Sequence, residues 1–254
     1  MTQVKNLKDL PTLSKLGTTN SLLATENATG KSYRMSAANL KTELGSISID
    51  DVMDNVFIMC HRSSDSYPVC YRPSGWAAQE AAGDVATGVL LIDGGRKLVI
   101  APQEKTSTWS TCQVVCGTAS SDRLAVQELY NGKENCAKIL TNTTLAAEGD
   151  ASAVGWCNAY ERINAGGKGL KAGAWWLPSV GELYLMFANF TKINYALSKI
   201  SGATLLAKTA YWSCTETSAP YAWFLDFSNG FQYNYGKSMS QCRVRPVSAF
   251  AMAT

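Results

Sequence analysis

The chain has 254 residues and a mass of 27.4 kDa, enough for one large domain or one domain with a small appendage. Its 46% hydrophobic and 17% charged residues exclude global disorder. A net charge of +3 excludes a dedicated nucleic-acid footprint, and the single histidine, His61, excludes His-based metal cages and allows a Ser-His-Asp triad only through itself.

Residues 1–20 contain no continuous apolar run, so no secretory signal is expected. No stretch approaches the roughly 18 apolar residues that span a bilayer. Residues 1–45 scatter Leu10, Leu13, Leu16, Leu22 and Leu23 among Thr, Ser, Asn and Lys. Ser21–Thr25 and 31–35 read as two short strands around a turn at residues 27–30. Ser36 is placed to cap a short helix through Glu43 that ends near Gly45. So few large apolar side chains build no independent core, so this segment is expected to dock, favouring copies of itself in an oligomer. Residues 46–80 read as a linker or strands leading into the main domain, 81–254.

Residues 55–60 and 85–92 have strand character, and Asp93-Gly94-Gly95 turns the chain back into a strand at 97–101. Residues 103–121, rich in Ser and Thr around Trp109, read as loop. Residues 149–163 read as a helix capped by Asp150, with Val154, Cys157 and Tyr160 on one face. The glycine-rich run 165–173 lacks the G-K-[ST] of a phosphate-binding loop and reads as a plain loop. Ser179 and Glu182 stand in capping-box relation after Pro178, opening a helix with Leu183, Met186, Phe187 and Phe190 on one face. A second short helix holds Ile193, Leu197 and Ile200. Strand patterns then recur at 209–213, 222–227, 231–235 and 243–250. Strands, helices, then strands again predict an α+β domain.

Eight cysteines with no signal read as reduced, mostly buried thiols. Cys112 and Cys116 lack the second pair that a zinc ribbon needs. Trp175 and Trp176 read as core anchors, and Arg243 and Arg245 as structural partners of Glu182 or Glu216. His61 has no evident catalytic partner.

The informative window is 211–242. Nine of its 32 residues are aromatic and three are charged, Glu216, Asp226 and Lys237; Tyr, Ser, Gly and Asn supply 13. That is a paratope-like composition, with Tyr for rigid amphipathic area and Ser, Gly and Asn for adaptable hydrogen bonds. Strand alternation sends Trp223, Leu225 and Phe227 one way and Phe224 and Asp226 the other. The uniformly apolar first set is the better core. Phe224, Asp226 and the row Phe231, Tyr233 and Tyr235, beyond an Asn229-Gly230 turn, are then expected at an exposed face. The alternative is that the row continues the core.

The segments WWLPSVGEL, YWSCTE, AWFLDFSNG and VRPVSAF resemble the variable proteins of diversity-generating retroelements over roughly residues 80–250. Residues 1–45 look like the attachment module of phage tail-fibre proteins. The resemblance implies a C-type-lectin-like fold of the formylglycine-generating-enzyme type with a small N-terminal tail-fibre-like oligomerisation segment. It also implies a phage receptor-binding protein: an adhesin that meets a bacterial surface receptor, protein or glycan, beside phage tail components. It would be a homo-oligomer, a trimer favoured, located in the virion.

In that family adenine mutagenesis turns AAY codons into many others, so Trp, Lys, Glu, Gln and Met are fixed. The resemblance thus makes Trp212, Glu216, Trp223, Gln232, Lys237, Met239 and Gln241 scaffold. The implied ligand contacts are Tyr211, Cys214, Thr217, Tyr221, Phe224, Asp226, Phe231, Tyr233, Tyr235, Ser238 and Ser240. Relatives usually carry Ser where this chain has Cys214, which marks it as a candidate varied position; a Cys214–Cys242 disulfide stays open. No cofactor, catalytic residue, metal, nucleic acid or membrane insertion is expected. The alternatives are a bacterial surface or structural lectin-like protein with a fixed ligand, and a formylglycine-generating-type enzyme. The latter uses closely spaced C-terminal cysteines, a spacing that Cys214 and Cys242 lack.

Overall fold

A computed structural model describes residues 21–25, 32–36, 55–62, 67–239 and 241–250. The chain divides into two compact units, Met1–Asp54 and Asn55–Thr254. In the first unit, β1 (Ser21–Thr25) and β2 (Ser32–Ser36) pair antiparallel, with Leu23 opposite Arg34. The expected helix from Ser36 to Gly45 and the turn at 27–30 lie outside the described residues.

The second unit is a sheet-rich α+β domain. It starts with β3 (Val56–His61), β4 (Pro68–Tyr71), α1 (Trp76–Ala81), β5 (Ala86–Asp93), β6 (Arg96–Ile100) and β7 (Lys105–Ser107). Helices α2 (Arg123–Gln127), α3 (Gly132–Ile139), α4 (Thr143–Ala146) and α5 (Ala153–Ala159) follow. Short strands β8 (Arg162–Ile163), β9 (Gly169–Leu170) and β10 (Trp175–Trp176) lead to α6 (Val180–Ala188) and α7 (Phe190–Leu197). The chain closes with β11 (Ala210–Ser218), β12 (Tyr221–Asp226), β13 (Phe231–Gly236), β14 (Cys242–Val244) and β15 (Val247–Ala249).

Two main sheets result. One runs β10-β15-β6-β5-β3-β4, the other β13-β12-β11-β14-β7. In the second sheet β11 and β14 are parallel and the other neighbours antiparallel. Residues 55–80 therefore belong to the domain itself: β3 sits inside the six-stranded sheet between β5 and β4.

The first sheet is buried on both faces, and its alternation sorts side chains into two cores. Val56, Ile58, Val89, Leu91, Leu98 and Ile100 join the main core, while Met59, Leu90 and Val99 pack with Leu170 and Trp175. Two covered faces explain why β5 reads as a near-continuous apolar run. Trp175 and Trp176 are buried, in the role expected of them.

Helix α6 carries the expected capping box between Ser179 and Glu182. The Glu182 carboxylate also accepts from Trp176 Nε1 at 3.2 Å, and burial pushes its pKa up. Helix α6 packs on β11 and β12, and α7 on β3 and β5. The helix expected over 149–163 is shorter. Ser152, not Asp150, caps α5 by accepting from Gly155 N at 3.0 Å, and Tyr160 leaves the helix to meet the Trp175 ring edge-on at 5.0 Å.

The strand expected over 243–250 breaks at Arg245-Pro246, where the chain crosses from one sheet to the other. Arg245 is fully buried and holds the crossing by donating to Ala101 O, Thr204 O and Glu104 Oε2. Glu104 is thus the partner of Arg245 and, at 3.5 Å, of Arg243; neither Glu182 nor Glu216 serves. All eight cysteines are thiols, so Cys214 and Cys242 are unbridged.

Candidate functional site

Strands β12 and β13 form a hairpin whose turn is built by one carboxylate and one glycine. The Asp226 side chain accepts from Ser228 N at 2.8 Å, and its carbonyl accepts from Gly230 N at 2.7 Å. Gly230 has φ +77°, in the left-handed region. The turn sets the register: Asp226 faces Phe231, Phe224 faces Tyr233 and Ala222 faces Tyr235. On its other side β12 faces β11, with Trp212 opposite Phe224 and Glu216 opposite Ala222. Directly opposed residues share a face. Three cross-strand rows therefore lie together, and the middle one runs Trp212, Phe224, Tyr233.

Exposure along that row rises from 0% at Trp212 through 8% at Phe224 to 41% at Tyr233. Phe224 meets Trp212 edge-on at 6.0 Å and lies 5.7 Å from Tyr233 and 6.0 Å from Tyr235. Phe231 packs edge-on against Tyr233 at 6.4 Å. Phe231, Tyr233 and Tyr235 are exposed because β13 is the edge strand of its sheet. The result is an open row of three rings on a buried aromatic floor. Open aromatic area of this kind suits contact with a partner.

One carbonyl of the edge is capped. Arg123 Nη2 donates to Gln232 O at 2.8 Å, and Gln232 Nε2 donates back to Arg123 O at 2.7 Å. The guanidinium also lies 5.9 Å from the Tyr233 ring. This cap occupies one of the edge groups that could otherwise pair with another strand.

The cross-strand row Glu216, Ala222, Tyr235 leads to a fully buried ion pair. Lys237 Nζ donates to the Glu216 carboxylate and, at 2.8 Å, to Val114 O, and sits 4.7 Å over the Trp109 ring. Glu216 further accepts from Cys116 N at 3.0 Å. Burying two charges is tolerated because every strong donor and acceptor in this group has a partner. The pair straps the 110–118 segment to the sheet.

The sequence-derived contacts divide three ways. Phe231, Tyr233 and Tyr235 form the open row as expected, and Ser238 is exposed after it. Tyr221 is exposed too, but shares the face of Trp223, two residues on, and so faces away from the row. Asp226 and Thr217 are half-buried, and Asp226 is committed to the turn. Tyr211, Cys214 and Phe224 are buried, a correction to the expected open face. Tyr211 lies opposite Leu225, on the core face; its hydroxyl donates to Glu104 Oε2 at 2.8 Å, and burial raises its pKa. Cys214 falls in an irregularity of β11 between Trp212 and Glu216, where Asn135 Nδ2 donates to its carbonyl at 2.9 Å. Phe224 sits mid-sheet, walled by three rings. Ser240 lies outside the described residues.

Of the expected scaffold residues, Trp212, Glu216, Trp223, Gln232 and Lys237 are buried, whereas Met239 and Gln241 are exposed. Sequence reading missed Val114 and Val115, both about half exposed on the strapped segment. Their one signal was two adjacent β-branched apolar residues inside a Ser/Thr-rich loop. Among the described residues no group of three or more His, Cys, Asp or Glu is placed to hold a metal ion.

No protein-family model and no curated protein matches the chain. Among solved structures, a fimbrial protein from Bacteroides ovatus aligns over 86% of this chain at 15% identity and a TM-score of 0.40. The alignment covers 47% of that protein, so the chain spans about half of its length.

Proposed function

We propose that this chain is a non-enzymatic adhesin, a phage tail receptor-binding protein whose lectin-type domain presents the Phe231, Tyr233 and Tyr235 row to a bacterial surface ligand. A retroelement diversifies that face, and residues 1–45 attach and oligomerise the protein, as a trimer in the virion. The observation that carries this reading is the sorting of side chains in the 211–242 window. Residues reachable by adenine mutagenesis supply the open row, although Tyr211, Cys214 and Phe224 are buried; of the seven that are not reachable, Trp212, Glu216, Trp223, Gln232 and Lys237 are buried and Met239 and Gln241 are exposed after the row. Side chains can then change on the row without disturbing the frame. Several copies pointing one way would multiply a weak single contact, commonly by about 10²–10⁴ when the geometry permits.

Deep sequencing of the gene across one source population tests the reading. Substitutions concentrated at Tyr221, Phe231, Tyr233, Tyr235 and Ser238, sparing Trp212, Trp223 and Lys237, are expected. An invariant window, or changes spread evenly along the chain, would overturn diversification and leave a fixed ligand.

A further inference from the structure

Cys112 and Cys116 stand out among the eight thiols. Their sulfurs are 3.7 Å apart, and the three residues between them are all exposed. Both ends of this loop are pinned. Next to Cys112, Ser110 Oγ and Thr111 N donate to the Glu148 carboxylate at 2.9 and 3.0 Å, and Cys112 N donates to Ser110 Oγ at 2.9 Å. At the other end Cys116 N donates to Glu216, and Val114 O accepts from Lys237 in between. The chain has thus already met the ordering cost of bringing the sulfurs together. Both sulfurs are buried, Cys112 at 5% and Cys116 at 8% exposure, but only under this short loop of exposed residues, whereas Cys136 on α3 and its neighbour Cys214 lie at 4% and 0% within the main core.

We propose that Cys112 and Cys116 are a site of reversible disulfide formation by thiol–disulfide exchange with a small disulfide such as glutathione disulfide. The Cys112 thiolate attacks one glutathione sulfur, forming a mixed disulfide and releasing one glutathione thiolate. The Cys116 sulfur, losing its proton to solvent, then attacks the Cys112 sulfur and expels the second glutathione. Two protein thiols are oxidised and one glutathione disulfide is reduced to two glutathiones. Burial pushes the Cys116 thiol up to about 12, so the closing step is slow and speeds up in alkaline buffer. The bond closes a five-residue ring that fixes Val114 and Val115 beside the strand carrying Tyr235. It belongs to an oxidising surrounding and is undone in a reducing one.

The test uses the full chain, native, in glutathione buffers of increasing oxidation, followed by denaturation and alkylation. Trypsin releases residues 106–123 with both cysteines on one peptide. This peptide is expected to lose two hydrogens and resist alkylation while the six other cysteines are alkylated. Cys116→Ser is expected to stop at one glutathione on Cys112. Amide exchange at Gln113–Val115 is expected to slow about tenfold on oxidation. Two alkylated cysteines, or a lasting glutathione adduct in the parent chain, would overturn the site. Unchanged exchange in the oxidised form would overturn its role as a clamp.

Discussion

Strands β11 and β13 lie in one sheet, separated by a single strand, and both are rich in aromatic and small polar residues. Six of nine β11 residues are buried, whereas β13 alternates two buried residues with four exposed ones. The chemistry of Tyr211 and Tyr233 is the same; their places are not. Tyr211 is covered by the main core and spends its hydroxyl on Glu104. Tyr233 stands on an edge strand with its ring open. Position in the sheet, and not residue type, separates a buried framework from an open aromatic row built from one vocabulary.

This contrast breaks most visibly at the frame. Lys237→Ala leaves Glu216 buried without its counter-charge and is expected to cost about 3–5 kcal/mol in denaturant unfolding. Trp212→Ala empties the centre of the sheet and is expected to cost a similar ~3–5 kcal/mol. A folded Trp212→Ala protein of parental stability would contradict the frame.

The turn from β12 into β13 comes next. At Gly230 a Cβ would approach the Phe187 ring to 2.8 Å on a left-handed backbone. Gly230→Ala is expected to cost about 1–3 kcal/mol by thermal unfolding.

A proton tests the frame from another side. His61 is buried, hydrogen-bonded to Thr87 Oγ1 at 2.9 Å, and burial lowers its pKa below 6.5. The unfolded chain therefore binds this proton more readily. The stability His61 contributes is fully present above pH 6.5 and is lost as pH falls through the lowered folded value. His61→Gln is expected to flatten this step in stability against pH; an unchanged step would place it elsewhere.

The smallest effect is expected on the row. Tyr233→Ala is expected to shift stability by about 1 kcal/mol or less while abolishing binding to a matched ligand. Unchanged binding would sink the site.

Much of this was legible in sequence because it is local. The Ser179–Glu182 box, the hairpin around Gly94-Gly95 and the alternation of Phe231, Tyr233 and Tyr235 each sit within a few residues. What escaped is long-range. Phe224 is buried because Trp212, Tyr233 and Tyr235 converge on it from two other strands. Glu104 captures Arg245 across 141 residues, and Cys214 is turned inward where β11 departs from regular pairing. Single-strand alternation carries no information about which of two faces a neighbouring segment covers.

The proposed function needs a buried frame that tolerates change on the exposed row. A saturation scan of residues 210–245, read as protease resistance of each folded variant, tests it directly. Phe231, Tyr233, Tyr235 and Ser238 are expected to accept most residues, while Trp212, Glu216, Trp223 and Lys237 are expected to accept almost none. Equal intolerance at both sets, or tolerance at Trp212 and Lys237, would contradict it.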